Sequence, residues 1–234
     1  MGIKEAIILA GGLGTRLRSA VPDLPKCMAP VNNKPFLTYV INHLQSQGIE
    51  HIIFSLGYKS EAIVDFLAKD FPSLAFTTSI EDEPLGTGGA IRKACEVAKD
   101  SCTLVTNGDT LYKIDLEKVA AVHCLSGASC SLNLKPMTNF DRYGVVELDK
   151  NCTIKSFKEK QFYESGLING GVYALHTHKF LDENLPEKFS FETDYLEQYY
   201  QKRTMFGVVQ DEYFIDIGIP EDFERAQTEL KAEG

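Results

Sequence analysis

Apolar positions along the chain fall into two rhythms. In the first half, short unbroken apolar runs alternate with segments of helical spacing. Ala6-Ile7-Ile8-Leu9-Ala10 is a continuous run, the pattern of a parallel strand buried on both faces. Phe36, Leu37, Val40, Ile41 and Leu44 recur at helical spacing between Pro35 and Gln47, and Gly48 ends the segment. A strand over His51 to Leu56, a helix around Glu61 to Lys69 and a short strand over Ala75 to Thr78 follow. Gly88 to Lys99 reads as a helix and Cys102 to Thr106 as another buried strand, closing at Asn107-Gly108-Asp109. Strands alternating with helices predict right-handed βαβ units around a mainly parallel, Rossmann-like α/β sheet flanked by helices.

The second half changes character. Ser129–Leu134, Gly144–Leu148, Ile154–Phe157 and Gly170–Leu175 are strand-like, with little helix between them. They predict a smaller antiparallel extension that builds a substrate face on the first sheet. A helix over Thr193 to Gln201, strands near Phe206–Val209 and Phe214–Ile217, and a last helix starting at Pro220 complete the pattern. Pro at a first turn followed by Glu221 and Asp222 is a good helix start. The pattern predicts one domain over 1–234, with a βαβ half over about 1–110 and a mainly antiparallel half over about 111–234.

Composition narrows the functional classes. Of 234 residues, 44% are hydrophobic and 24% charged, which suits a packed core. The formal charge of −9 would repel a long phosphate polymer, so nucleic acid is not the expected partner. Small phosphates are compatible with it, since a few local cations and backbone N–H groups suffice to hold them. The run at Ala6–Ala10 is too short for a signal-peptide core or a membrane span. The cysteines at 27, 95, 102, 124, 130 and 152 form no CxxC pair and read as reduced thiols in a cytoplasmic protein.

Gly11, Gly12 and Gly14 sit directly after the first strand, where absent side chains let backbone N–H groups approach phosphate oxygens. Thr15 follows, and Arg16 offers a planar cationic fork to the same oxygens. The spacing is neither the Walker A motif nor the dinucleotide fingerprint, and a tight turn without a ligand would use similar residues. Pro22, Pro25 and Pro30 keep the next segment irregular, so that it can fold over a triphosphate. Asp109 lies just past a buried strand, at the carboxyl end where α/β proteins gather ligand groups.

Leu9-Ala10-Gly11-Gly12-Leu13-Gly14-Thr15-Arg16-Leu17 resembles the signature of the sugar-1-phosphate nucleotidyltransferases. Pro25-Lys26-Cys27-Met28-Ala29-Pro30 resembles that family's second, lysine-bearing element. The likeness continues in order through Glu83–Gly89, Asn107-Gly108-Asp109, Tyr143–Val146, Phe157–Lys160, Asn169-Gly170-Gly171 and Asp216–Asp222. Eight elements in sequence order span nearly the whole chain.

The resemblance implies a GT-A-like fold and attack by a sugar-phosphate oxygen on the α-phosphorus of a nucleoside triphosphate, releasing pyrophosphate. Leu9, Ala10, Gly11, Gly12, Gly14, Thr15, Glu83 and Gly88 would then hold the nucleotide. Arg16 would clamp the β- and γ-phosphates, and Lys26 would reach the α-phosphate. Asp109 and Asp216 would be hard oxygen ligands for Mg²⁺, with Arg16, Lys26 and Asp109 the catalytic set. Solvated surface cations and a turn-capping aspartate are the alternatives at these positions. Lys160 would meet the sugar phosphate and Glu159 the sugar hydroxyls, although alternation along a strand would send them to opposite faces unless a bulge intervenes. Asn107 would line the sugar side, Gly144 and Gly170 would let the sugar approach backbone, and Asn169 would bond a hydroxyl. No side-chain nucleophile is required, because the attacking phosphate is already ionised.

Many relatives that use uridine or thymidine triphosphate carry glutamine where Glu83 stands. A carboxylate only accepts hydrogen bonds, matching the adjacent ring N–H and amine of guanine and mismatching a pyrimidine carbonyl. That favours GTP. Chain length and Ser190-Phe191-Glu192-Thr193-Asp194 resemble members acting on D-glycero-α-D-manno-heptose 1-phosphate, although the Thr193 position is often basic in them. Uridylyl, cytidylyl or thymidylyl transfer to another hexose 1-phosphate stays open, as does an inactive nucleotide-sensing subunit. A glycosyltransferase of similar architecture would want an Asp at 107, where Asn stands. No motif fixes oligomeric state, and a homodimer stays open.

Overall fold

The computed structural model describes residues 2–12 and 24–230. Its centre is four parallel strands: β1 (Glu5–Leu9), β4 (His51–Leu56), β5 (Phe76–Ile80) and β6 (Cys102–Asn107), in the order β5-β4-β1-β6. Between β1 and β4 come a one-turn 3-10 helix (Lys26–Met28), a two-residue hairpin of β2 (Pro30–Val31) and β3 (Lys34–Pro35), and helix α1 (Phe36–Ser46). Helix α2 (Ser60–Asp70) joins β4 to β5, and α3 (Gly86–Cys95) joins β5 to β6.

Period-two alternation along the central strands separates two cores. Ala6, Ile8, Ile52, Phe54, Leu56 and Leu104 face α1 and α2. Ile7, Ile53 and Val105 face the opposite way, onto Ile91 and Ala94 of α3. Both faces are therefore covered by helices, which explains the continuous apolar runs.

The antiparallel extension is larger than its apolar runs suggest. After β6 come β7 (Thr110–Tyr112) and α4 (Leu116–Ser126), then β8 (Cys130–Phe140), β9 (Val145–Leu148), β10 (Ile154–Lys158) and β11 (Tyr163–His176). The carboxyl-terminal part of β11 pairs antiparallel with β6, joining the extension to the central sheet, while β8 runs along its other edge. Register slips between Asn169 and Tyr173, so β11 bulges at Gly170 and Gly171.

Helix α5 (Thr177–Leu181), a π-type turn over Phe191–Leu196 and a short α6 (Glu197–Tyr199) pack Phe180, Phe191 and Tyr195 on the α3 side. Strand β12 (Met205–Val209) adds parallel to β8; β13 (Phe214–Asp216) pairs with β7, and α7 (Pro220–Glu229) closes the described chain.

Several expectations need correction. The second half contains α4 and α5, which the scarcity of apolar periodicity there concealed. The late helix expected over Thr193 to Gln201 is a π-type turn plus one α-turn. Helix α3 starts two residues before Gly88 and stops at Cys95. Glu159 and Lys160 lie beyond the end of β10 in an exposed turn, so strand alternation does not govern where they point.

Candidate active site

A cleft of about 800 Å³ opens at the carboxyl ends of the four parallel strands. This is where an open parallel sheet offers unpaired backbone groups and loop side chains to a ligand. Each strand contributes its following residues: Ala10, Gly11 and Gly12 after β1, Gly57 and Tyr58 after β4, Glu81 to Pro84 after β5, and Asp109 after β6.

At the β6 end three charges meet. Lys26, in the 3-10 turn, forms ion pairs with Asp109 and, at 3.7 Å, with Asp216. The β7–β13 ladder brings the two aspartates together: Asp216 is in register with Thr110, and the Ile217 amide donates to the Asp109 carbonyl at 3.1 Å. Burial, and then the neighbouring Asp109 charge, pushes the Asp216 carboxyl above its ordinary value, against the opposing pull of Lys26. Gly218 completes this corner. Its amide donates to Asp216 Oδ1 at 2.8 Å, and a Cβ there would stand 2.9 Å from Lys26 Nζ. Among the described residues no three His, Cys, Asp or Glu side chains form a metal cage. Two carboxylates with room for ligand oxygens suit a hard cation that keeps phosphate and water ligands. Cys27 also lines the cleft, but burial, reinforced by Asp109, pushes its thiol up to about 12, which removes it as a nucleophile.

The β4–β5 end is different. Glu81, half-buried, accepts from the Leu85 amide through Oε2 at 2.8 Å, and its other oxygen approaches Gly11. Glu83 is exposed on the rim. Across the cleft, Glu192 of the π-type turn accepts from Thr87 Oγ1 at 2.8 Å and from Ser190 Oγ at 3.2 Å, clamping the turn to the start of α3. Ser55, 1% exposed, lies in the floor.

Of the residues expected from sequence, Leu9, Ala10, Gly11, Gly12, Lys26, Glu83, Asn107 and Asp109 line this one cleft. Asp216 joins them through Lys26. Gly14, Thr15 and Arg16 lie outside the described residues. Gly88 is buried, and a Cβ on it would strike the Phe189 ring at 2.2 Å, so it serves helix packing. The space beside Gly170 is filled by the Tyr112 ring, and that beside Gly144 by the Lys158 carbonyl, rather than left open for a sugar. Asn169 donates to the Tyr173 hydroxyl at 2.9 Å and accepts from the Gly171 amide at 3.0 Å, which shapes the bulge of β11. Glu159 and Lys160 are exposed and do not line the cleft.

Sequence reasoning missed Ser55, Tyr58, Glu81, Thr87, Glu192 and Gly218. Ser55 left a signal, as the polar interruption of the apolar run Ile52–Leu56. Glu81 left one too, two residues before the motif that drew attention to Glu83.

Comparison with known proteins identifies the family. The family model described as Nucleotidyl transferase matches residues 5–233. The chain is 48% identical over 227 residues to a D-glycero-alpha-D-manno-heptose 1-phosphate guanylyltransferase of Aneurinibacillus thermoaerophilus, covering 97% of this chain and 98% of the relative. It is 47% identical over 219 residues to the enzyme of that name from Campylobacter jejuni, covering 94% and 96%. The crystal structure of HddC from Yersinia pseudotuberculosis complexed with GMP-PN superposes with a TM-score of 0.86 at 38% identity, covering 98% of this chain and all of that one.

Proposed function

The chain belongs to the nucleotidyl transferase family, and on that premise we propose that the cleft binds GTP and a sugar 1-phosphate together. The enzyme is a sugar-1-phosphate guanylyltransferase: it transfers the guanylyl group to D-glycero-α-D-manno-heptose 1-phosphate and releases pyrophosphate. The observation that carries the chemistry is Lys26 held between Asp109 and Asp216 at one end of a cleft whose other end carries Glu81 and Glu83. From β6 to β5 is three strand spacings, about 14 Å, room enough for the phosphates to lie at β6 and the base at β4–β5.

Both reactants are anionic, so the work is screening repulsion and holding them in line. Lys26 turns from the aspartates to the α-phosphate and offsets charge that accumulates there in the transition state. Asp109 and Asp216 would hold Mg²⁺, which supplies charge neutralisation at phosphate oxygens. Gly11 and Gly12 present backbone to the nucleotide, and Arg16 takes the β- and γ-phosphates. The sugar phosphate enters from the side of Asn107, and Glu159 and Lys160, exposed in the β10–β11 turn, are its expected partners outside the cleft lining. At the far end a carboxylate accepts from the ring N–H and amine of guanine, Glu83 and Glu81 being the two within reach.

The test is pyrophosphate release from GTP with and without the heptose 1-phosphate, in the presence of Mg²⁺. Release only when both substrates are present is expected. Release independent of the sugar phosphate, or none under any condition, contradicts the proposal.

A further inference from the structure

Lys26 is fixed at its backbone and adaptable at its tip. It opens the one-turn 3-10 helix, where the Met28 amide donates to the Pro25 carbonyl at 2.8 Å and the Ala29 amide to the Lys26 carbonyl at 3.1 Å. Cys27 and Met28, next in the turn, are buried and hold it in place. The side chain is a compact ammonium with three donors on a flexible stem, and it lines the cleft. That ammonium lies between two carboxylates, ion-paired to Asp109 Oδ2 and 3.7 Å from Asp216 Oδ1. Gly218 borders the same space, where a Cβ would stand 2.9 Å from Lys26 Nζ and 2.8 Å from Asp216 Oδ1.

A divalent cation held by Asp109 and Asp216 would need the same oxygens, at about 2.0–2.6 Å. The ammonium already takes one of them and pairs with the other carboxylate. The two cations therefore exclude each other, by space and by charge. Other groups around the corner do not compete in this way. Arg142 is ion-paired to Asp222, and the Gly218 amide that donates to Asp216 Oδ1 is neutral. The corner is also reachable. The side chains of Lys26, Asp109 and Asp216 are 18%, 29% and 26% exposed.

We propose that Lys26 is a built-in counter-cation: it keeps a divalent metal off Asp109 and Asp216 until a nucleotide phosphate in the cleft draws the ammonium away. Metal uptake is then conditional on nucleotide, and by linkage each ligand strengthens the binding of the other by the same factor. Rotation about side-chain bonds is enough for the exchange, and the 3-10 turn stays where it is. The inference rests on reading the aspartates as metal ligands and Lys26 as a phosphate partner.

The probe is Mn²⁺ alone, titrated into nucleotide-free protein and followed by the loss of its free-ion paramagnetic resonance signal. Lys26→Met should bind Mn²⁺ at least about tenfold more tightly than the unmodified protein, because both carboxylates are released. Lys26→Gln should show the same gain and serves where the methionine variant does not fold. Adding Asp216→Asn to either variant should remove the gain. Guanosine 5′-monophosphate, a poor chelator, should tighten Mn²⁺ binding by the unmodified protein and do so much less in Lys26→Met. Nucleotide-free unmodified protein that binds Mn²⁺ as tightly as the variants overturns the proposal. So does a gain that survives Asp216→Asn, or an equal effect of the monophosphate on both proteins. Should no protein bind Mn²⁺ even with the monophosphate, the metal reading of the aspartates fails and this inference falls with it. Because these titrations involve neither turnover nor sugar phosphate, their failure leaves guanylyl transfer standing, and a failed pyrophosphate assay leaves the titrations standing.

Discussion

At Asp216 two demands oppose each other. Burial and the adjacent Asp109 raise its carboxyl above the ordinary range, so the folded state holds a proton there more readily than the unfolded chain. Its ionised form therefore costs stability above the ordinary carboxylate value, and that cost is relieved as pH falls through the raised value. Asp216→Asn should accordingly raise the melting temperature of the metal-free protein at neutral pH while lowering turnover by orders of magnitude. A variant that is both destabilised and active would show that Asp216 is a structural partner of Lys26 alone. Base choice is decided at the same scale. Exchanging carboxylate for carboxamide at the base-reading position should shift nucleotide preference from GTP toward UTP by tenfold or more, as about 1–3 kcal/mol per unmatched buried group implies. Glu83→Gln and Glu81→Gln, assayed separately with both nucleotides, identify the reader, and an unaltered preference in both variants would remove the carboxylate from base recognition. The family resemblance pointed to Lys26, Asp109 and Asp216, and the fold brings these three charges together. It named Glu83 and passed over Glu81, whose tie to the Leu85 amide is a property of the folded loop.

Helix α3 both lines the cleft with its first turn and positions a neighbouring element. Its glycines let the segment around Phe189 press against the helix, which brings the π-type turn and Glu192 to the cleft wall. Gly88→Ala would gain up to about 1 kcal/mol of helix propensity. It would also drive a methyl group into the Phe189 ring, an overpacking that costs about 1–3 kcal/mol. The net expectation is destabilisation with a raised KM for GTP, and a thermal melt at or above that of the unmodified protein would contradict it. Elements were legible where burial is two-sided: β4 lies where its apolar run does, from His51 to Leu56. They were illegible where the signal is a cap. Helix α4 is announced by Asp115, whose carboxylate accepts from the Glu117 and Lys118 amides at 3.0 and 3.3 Å, and by Gly127 in the left-handed conformation after it. Its apolar stripe is too ragged to show by periodicity. The length of β11 was hidden for another reason: its first four residues, Tyr163 to Gly166, are partly exposed, held by pairing with β8 rather than by burial.

For the whole molecule, the sheet gathers the cleft at its carboxyl ends, and two helix histidines shape the response to acid. No helix among the described residues is long and apolar enough to cross a membrane. His123 is buried under α4 with its Nδ1 beside Ser131 Oγ at 3.0 Å, and burial, helped by His176 and Lys179, lowers it to about 4. His43 is lowered to about 4 as well, chiefly by burial and then by Lys113. Between the ordinary histidine value of 6.5 and about 4 the unfolded chain binds protons that the folded chain refuses, so stability falls as pH drops through that window. Removing His123 from the balance, as in His123→Asn, should flatten the slope of unfolding free energy by up to about 1.4 kcal/mol per pH unit between those limits. Urea unfolding at several pH values measures it, and an unchanged slope would show that His123 ionises freely. The β-α alternation, the sheet and the eight ordered motifs carried the architecture and the family. What they left open, the substrates, depends on how side chains from distant loops meet across one cleft. The most direct measurement is a single competition. Equal concentrations of GTP, ATP, UTP and CTP are offered with a mixture of heptose, glucose and mannose 1-phosphates, and the nucleotide sugars formed are resolved by mass. GDP-D-glycero-α-D-manno-heptose should dominate. A dominant product carrying another base or another sugar would contradict guanylyl transfer to the heptose.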